Sequence, residues 1–374
     1  MKVLVLTEYP PGAAGLATQG ALLCRGLREI GVDVHAVDLE SSQEKEWYYR
    51  WFQPDVAVGI GFWGHVPQLV LHPQQFGIKA VPWLVADGYV AEHQDVLNAL
   101  PLMLVTSNWV RDTYIRDGIK GDNIEVLPVG CNTGSFVPHS RDDPKVHSIR
   151  EALGVSDDQL MILTAGGDAA SKGGQEVMRA LATLDIAAPS WRYVCKVWPQ
   201  ARTVEQNTID LQLAADLGIG EKVAFATNVV SRNFMPYLLS ACDIYAAPSR
   251  LEGFGMIQVE ANACGKPVIA IDAMAFHDTM VHGETAFLAK VAEERTINET
   301  LLQNGERIVF SQPRTVEFRA SVPDIAKHLL TLMQDPDLRR RMGEAGRKHV
   351  TSLFDYRQVA RRFVKMVSSR LGIR

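Results

Sequence analysis

Two glutamates, Glu252 and Glu260, flank a glycine-framed turn in SRLEGFGMIQVEANACG (residues 249–265), with seven residues between them. A carboxylate accepts hydrogen bonds in pairs, which suits adjacent hydroxyls on a sugar ring. Gly253 and Gly255 permit close backbone approach, the spacing of Met256, Ile257, Val259 and Ala263 predicts a helix, and Gly265 stops it. The N–H groups that open such a helix suit hydroxyl or anionic oxygens. Taken alone, the same spacing also fits a helix-start carboxylate plus a solvated one. A second group is Lys172 in ASKGGQEVMRAL, after the apolar run LMILTAGG and before a helical pattern. Taken alone, such a Lys-Gly pair reads as a surface lysine, and its place between a strand and a helix is what singles it out. A third is TEYPPGAAGLATQG, where Gly15 precedes a helix opening near Leu16, whose N–H groups and dipole favour a diphosphate. It reads equally as a plain strand-to-helix turn.

These loops need strands to aim them. The segments KVLVLT, DVHAVDL, DVAVGIG, KAVPWLVA, LMLVTS and IEVLPV are short apolar runs separated by helical stretches, which predicts a parallel sheet. After GCNTGSFVPHSRDDPKVHS, a linker rich in Gly, Pro, Ser and Asp, a second series runs through LMILTAGG, WRYVCKVW, VAFATN, DIYAAPS and PVIAID. The reading is an α/β fold of two doubly wound, Rossmann-like domains facing each other across a cleft. Residues 1–145 form the first domain, 146–350 the second, and 351–374 a C-terminal helix crossing back to the first. Residues 292–322 fit this scheme poorly. They read as an insertion, a short helix followed by a hairpin of RIVFSQ against TVEFRA, and a possible oligomer contact.

Composition narrows the class. Hydrophobic residues make up 47% and charged residues 22%, as in a globular protein, and no run approaches the ~18 apolar residues of a membrane helix. The apolar run in MKVLVLTEYPP is too short for a signal-peptide core, so a cytoplasmic location is expected. Five scattered cysteines without C-x-x-C or Cys/His pairing argue against zinc and a disulfide framework. A net charge of −5 without a basic domain excludes a nucleic-acid partner.

The E-x7-E stretch, in its E-G-F-G form, resembles the signature of retaining family-4 glycosyltransferases. Other segments resemble the same family in order: VTSNWVRDTYIRDGIKGDNIEVLPVGCNTGSFVP, ASKGGQEVMRAL and MQDPDLRRRMGEAGRKHV. The resemblance covers almost the whole chain apart from the insertion, and implies the B-type glycosyltransferase fold (GT-B), with residues 1–145 as the acceptor-side domain and 146–350 as the nucleotide-sugar-binding domain. On that resemblance Glu260 binds the ribose hydroxyls and Glu252 faces the transferred sugar. Gly253, Phe254, Gly255 and Met256 line the donor, with backbone amides of the last three turned to the sugar. Lys172 meets the diphosphate.

Two departures stand out. The family usually carries an arginine where this chain has Gly167 and Asp168; Lys196 in YVCKVWPQAR, or Arg202, is the candidate substitute, with Lys196 expected within about 4 Å of a donor phosphate or of Lys172's position. Asp87, in AVPWLVADGYV, stands where the family commonly has a histidine near the reacting sugar. It is read as a catalytic candidate or a turn cap.

The functional expectation is a metal-independent, retaining transfer of a hexosyl unit from a UDP- or GDP-sugar to a saccharide or small-molecule acceptor. No cofactor is required beyond the donor itself, and no metal ligands are assigned. Residues 1–145 hold 11 Lys+Arg against 17 Asp+Glu, a net −6, the wrong sign for docking on anionic lipid. The alternatives are a noncatalytic nucleotide-sugar-binding subunit and a nucleotide-sugar epimerase on the same architecture. A dehydrogenase is disfavoured, because no G-x-G-x-x-G follows the first strand.

Overall fold

The computed structural model describes residues 1–86, 88–184, 188–302 and 304–373. The chain divides into two compact units. Unit 1 comprises Met1–Asn132, Thr296–Val316 and Leu353–Arg374, and unit 2 comprises Thr133–Arg295 and Glu317–Ser352.

Unit 1 is built on strands β1 (Lys2–Thr7), β2 (Asp33–Asp38), β3 (Val56–Phe62), β4 (Ala80–Val85), β5 (Met103–Val105) and β6 (Ile124–Val126). They form one six-stranded parallel sheet of order β2-β1-β3-β4-β5-β6. Val3 to Leu6 have no exposed surface, as expected of a parallel strand covered on both faces. Helix Tyr356–Leu371 packs on helix Gly15–Glu29. Its Tyr356 hydroxyl donates to both Glu29 oxygens at 2.6 and 2.7 Å, and Arg357 Nε donates to Oε2 at 2.7 Å. These contacts hold the Glu29 carboxyl down at about 2.

Unit 2 carries β7 (Leu160–Ala165), β8 (Trp191–Val197), β9 (Val223–Thr227), β10 (Ile244–Ala246), β11 (Val268–Ile271) and β12 (Ala286–Ala289). The sheet is again parallel, of order β12-β11-β10-β7-β8-β9. Its sixth strand, AFLA, is too short to announce itself as a periodic run. All five cysteines are free and buried, and burial pushes Cys24, Cys195 and Cys242 up to about 12.

The poorly fitting stretch is a separate two-stranded sheet of β13 (Val291–Leu301) and β14 (Arg307–Ala320). The helix expected in its first half is a strand. RIVFSQ and TVEFRA, expected to pair with each other, are instead successive parts of one strand facing β13. Cross-strand partners decide this. Arg307 and Glu299 form an ion pair, and Thr300 bonds Tyr89, so tertiary contacts override the helix propensity of AEER and NETLL. The two units therefore divide the hairpin, its distal part 296–316 falling in unit 1. The first long segment of unit 1 ends at Asn132.

Candidate active site

In unit 2 the chain leaves β7 through Gly166 and Gly167. Asp168 Oδ1 accepts from Ser171 N at 2.6 Å, closing the turn that presents Lys172. Gly173 follows at φ +78°, and a Cβ there would lie 2.3 Å from the Pro248 carbonyl oxygen, so only glycine lets this loop approach β10's exit. Helix Gly174–Ala182 then begins.

Strand β10 exits into the second loop. Ser171 and Arg250 join the two loops directly: Arg250 N donates to Ser171 O at 2.9 Å. Lys172 Nζ then donates to Glu252 Oε2 at 2.8 Å, with side chains 23% and 19% exposed. Burial alone would depress the Lys172 ammonium, but the Glu252 carboxylate and Asp168 outweigh it and raise its pKa. Gly255 takes φ +83° against the Phe276 ring and caps helix Met256–Ala263, with Phe254 buried beside it. Gln258 Nε2 fixes the loop from below, donating to Ala247 O and Ser249 Oγ at 3.0 Å each.

Glu260 is 2% exposed on this helix. Burial raises its pKa, and the Arg232 guanidinium pulls it partly back. Arg232 grips the carboxylate with both terminal nitrogens, one of them at 3.3 Å, and stacks over Phe136 at 4.9 Å. Sequence reasoning missed Arg232. Its one available signal is an arginine in the loop that follows β9.

A second missed group lies behind the loops. Arg250 Nη2 donates to Glu176 Oε1 at 2.8 Å, and its Nη1 lies 3.4 Å from Glu317 Oε1 on β14. Arg319 pairs with Glu317 at 2.8 Å, and Phe318 N donates to Arg250 O at 2.7 Å. The base of the hairpin is thus bonded to the residue two positions before Glu252. Glu176 and Arg250 sit inside the motif segments, but only the fold shows that they meet.

The remaining candidates stand apart. Lys196 pairs in the ladder with Ala165 and Ala226. Its 5%-exposed side chain lines a cavity of about 500 Å³ with Ser148, Ile149, Phe225, Asn228, Phe234 and Leu238. None of the Lys172 and Glu252 loop residues lines that cavity, so the structure does not bring the two lysines together as the strand order alone suggested. The reason is the two-residue alternation of a strand: Lys196 projects to the face covered by helix Pro144–Ala152, where burial depresses its pKa. Arg202 is exposed on helix Ala201–Asp216. In unit 1, Gly15 is exposed and opens helix Gly15–Glu29 after an extended Ala14. Asp87 lies outside the described residues.

Solved structures share this α/β fold, the B-type glycosyltransferase fold. The sucrose-phosphate synthase of Thermosynechococcus elongatus matches all of this chain and 99% of its own, at TM-score 0.77 and 18% identity. Anabaena HepE in complex with UDP and glucose matches 99% of this chain and all of its own, at 0.75 and 16%. Residues 146–304 match the family model described as glycosyl transferases group 1. Among curated proteins it is 27% identical, over 70% of its length and 58% of the relative's, to a D-inositol 3-phosphate glycosyltransferase of Stackebrandtia nassauensis. A protein of that name in Mycolicibacterium smegmatis is 30% identical over 48% of this chain and 39% of its own. The chain spans about half the length of the curated relatives it matches.

Proposed function

We propose that the protein is a retaining, metal-independent glycosyltransferase that moves a hexosyl unit from a nucleoside diphosphate sugar to a hydroxyl of a saccharide or small-molecule acceptor. The observation that carries this reading is the Lys172–Glu252 pair, a cation and a carboxylate 2.8 Å apart on two loops at the carboxyl ends of β7 and β10. Ligands of open α/β sheets bind at such ends.

In this reading unit 2 holds the donor. Glu260 accepts from the ribose hydroxyls, Glu252 from a hydroxyl of the sugar, and the Phe254–Met256 amides line it. Lys172 faces the diphosphate. The bond from the anomeric carbon to the diphosphate oxygen breaks, the acceptor oxygen bonds that carbon on the same face, and the acceptor proton passes to the leaving phosphate. The protein's part is positioning and charge stabilisation. Lys172 releases Glu252 to the sugar as the diphosphate takes the ammonium. The Arg232 guanidinium favours the ionised form of Glu260. Asp87 and Gly15 are the first-domain residues assigned to the acceptor and the diphosphate. Uracil is the base this reading favours, because HepE was solved with UDP and glucose. The relatives named for inositol 3-phosphate favour a cyclic polyol as acceptor.

The test is a panel of UDP- and GDP-sugars, scored for thermal stabilisation and slow hydrolysis. Stabilisation together with hydrolysis by one donor is expected. Stabilisation with neither hydrolysis nor transfer would establish the noncatalytic binding subunit instead.

A further inference from the structure

The β13–β14 hairpin is tied to unit 1 at the carboxyl ends of β3 and β4. Gly88, just past β4, has φ +88°, and a Cβ there would lie 2.4 Å from the Thr315 carbonyl oxygen, so hairpin and turn touch backbone to backbone. Asp117, almost fully buried, pairs with Arg314 of the hairpin at 2.7 Å and with Arg116 at 2.8 Å, and accepts from Val90 N at 2.8 Å. Arg116 Nη2 also donates to Gly88 O at 2.7 Å. The Tyr89 hydroxyl meets Thr300 Oγ1 at 2.9 Å.

This seating brings together rings from three segments distant in sequence. Phe310 of β14 lies 5.2 Å from Tyr89, Tyr89 lies 5.9 Å from Trp63, and Trp63 lies 5.8 Å edge-on to Phe62 at the end of β3. Arg314 stacks on Phe310 at 5.1 Å and fixes its ring. All four rings are half-buried. A core cluster would be closed, whereas these rings keep exposed area where ligands of an open α/β sheet bind. The two nearby arginines are committed to Asp117, so neither is available to an anionic guest.

We infer that the distal hairpin is a wall of the acceptor site, with Phe310, Tyr89 and Trp63 forming an aromatic surface for the C–H face of a neutral, polyhydroxylated six-membered ring. The inference rests on the glycosyltransferase reading and extends it to the acceptor class. Aromatic faces take the apolar side of such a ring, while the Tyr89 and Thr300 hydroxyls can exchange their mutual bond for bonds to its hydroxyls. The hairpin is then a specificity element, and Phe310 a residue that selects the acceptor.

The experiment is calorimetric titration of the full chain, saturated with UDP, with methyl α-D-glucopyranoside, myo-inositol and inositol 3-phosphate. UDP affinity and melting temperature are measured alongside. At least one neutral ring should bind the wild type in the millimolar range or tighter. Phe310→Ala should weaken that ring about 10-fold, in line with loss of one aromatic contact, with UDP affinity within about twofold. Phe310→Tyr should retain binding. Failure of both neutral rings, tighter binding of inositol 3-phosphate than of either, or an unchanged ring affinity in Phe310→Ala would each overturn the inference. A melting shift with unchanged ring affinity would show that Phe310 only holds the hairpin down. A wild type that binds no UDP would overturn the glycosyltransferase reading itself.

Discussion

Replacing Lys172 with Met keeps most of the stem that packs on Gly166 and removes the charge, so it separates the two tasks of this side chain. As a partner of Glu252 at 2.8 Å, with both groups about one-fifth exposed, it lies between surface pairs worth ~0.2–1 kcal/mol and buried pairs whose breakage costs ~3–5 kcal/mol. A stability loss of about 1–2 kcal/mol follows. As a stabiliser of the leaving diphosphate it should matter more: loss of one preorganised donor lowers kcat by roughly 10²–10³-fold, or ~2.7–4 kcal/mol. UDP binding should fall by ~1.5–3 kcal/mol, the worth of a hydrogen bond to a charged group. The assays are urea unfolding, calorimetry with UDP, and donor hydrolysis for Lys172→Met, Glu252→Gln and the double variant. If the lysine acts on the diphosphate, the double variant is slower than Glu252→Gln alone, and Glu252→Gln lowers turnover more than UDP affinity. If the lysine only orients Glu252, adding Lys172→Met to Glu252→Gln changes nothing further, and the assignment fails. Gly167→Arg offers a rescue, because a Cβ there stands 3.8 Å from the Trp198 ring, an ordinary contact, and its φ is not in the left-handed region. In the Lys172→Met background it should return part of the lost turnover.

Two further expectations concern the buried charges. Glu260 needs to be ionised to accept from ribose, and burial raises its pKa above 4.5, so donor affinity should fall with falling pH at a higher pH than an ordinary carboxylate would give. Its contribution to folding has the opposite sign: the folded carboxyl binds its proton more readily than the unfolded one, so that contribution is full below 4.5 and is lost as pH rises through the folded value. Binding loss on acidification is thus not unfolding through this group. Arg232→Ala should move the affinity fall to still higher pH, and an unchanged profile by calorimetry would refute the link. Arg250→Met should destabilise unit 2 by about 3–5 kcal/mol by stranding the buried Glu176 carboxylate. Paired with Glu176→Gln it should recover much of that loss, and an additive double variant in urea unfolding would count against the network.

The twelve strands of the two sheets divide into those written in hydrophobic runs and those that are not. β1, β7 and β11 are continuous apolar segments because parallel strands are covered on both faces, and that physics is local to the sequence. β12 has four residues, too few for any period. The hairpin failed for another reason. Its burial alternates weakly, and most of β13 is exposed, so no binary pattern marks it as a strand. What holds it is Arg314 on Asp117, Tyr89 on Thr300, and Phe318 on Arg250, contacts between residues far apart in the chain.

The same distinction governs the candidate site. Lys172, Glu252 and Glu260 were readable because each lies in a short segment whose turn glycines and helix start dictate its placement. Arg232, Glu176 and Arg250 were not, since a pairing charge carries no spacing of its own: an arginine 28 positions from its carboxylate looks like any solvated arginine until the sheet order sets them side by side. Lys196 shows the limit of strand order. Strand adjacency put it beside Lys172's strand, but the sign of the alternation, which face of the sheet it takes, is fixed by what covers each face. The rings at the ends of β3 and β4 extend the point to function. Trp63 and Tyr89 alone read as ordinary half-buried aromatics; it is Phe310, about 220 residues further on, that makes them a surface, and only because Arg314 finds Asp117. A reaction class can therefore be carried by local motifs while the choice of acceptor is carried by long-range packing, so exchanging the hairpin should change the acceptor before it changes the chemistry.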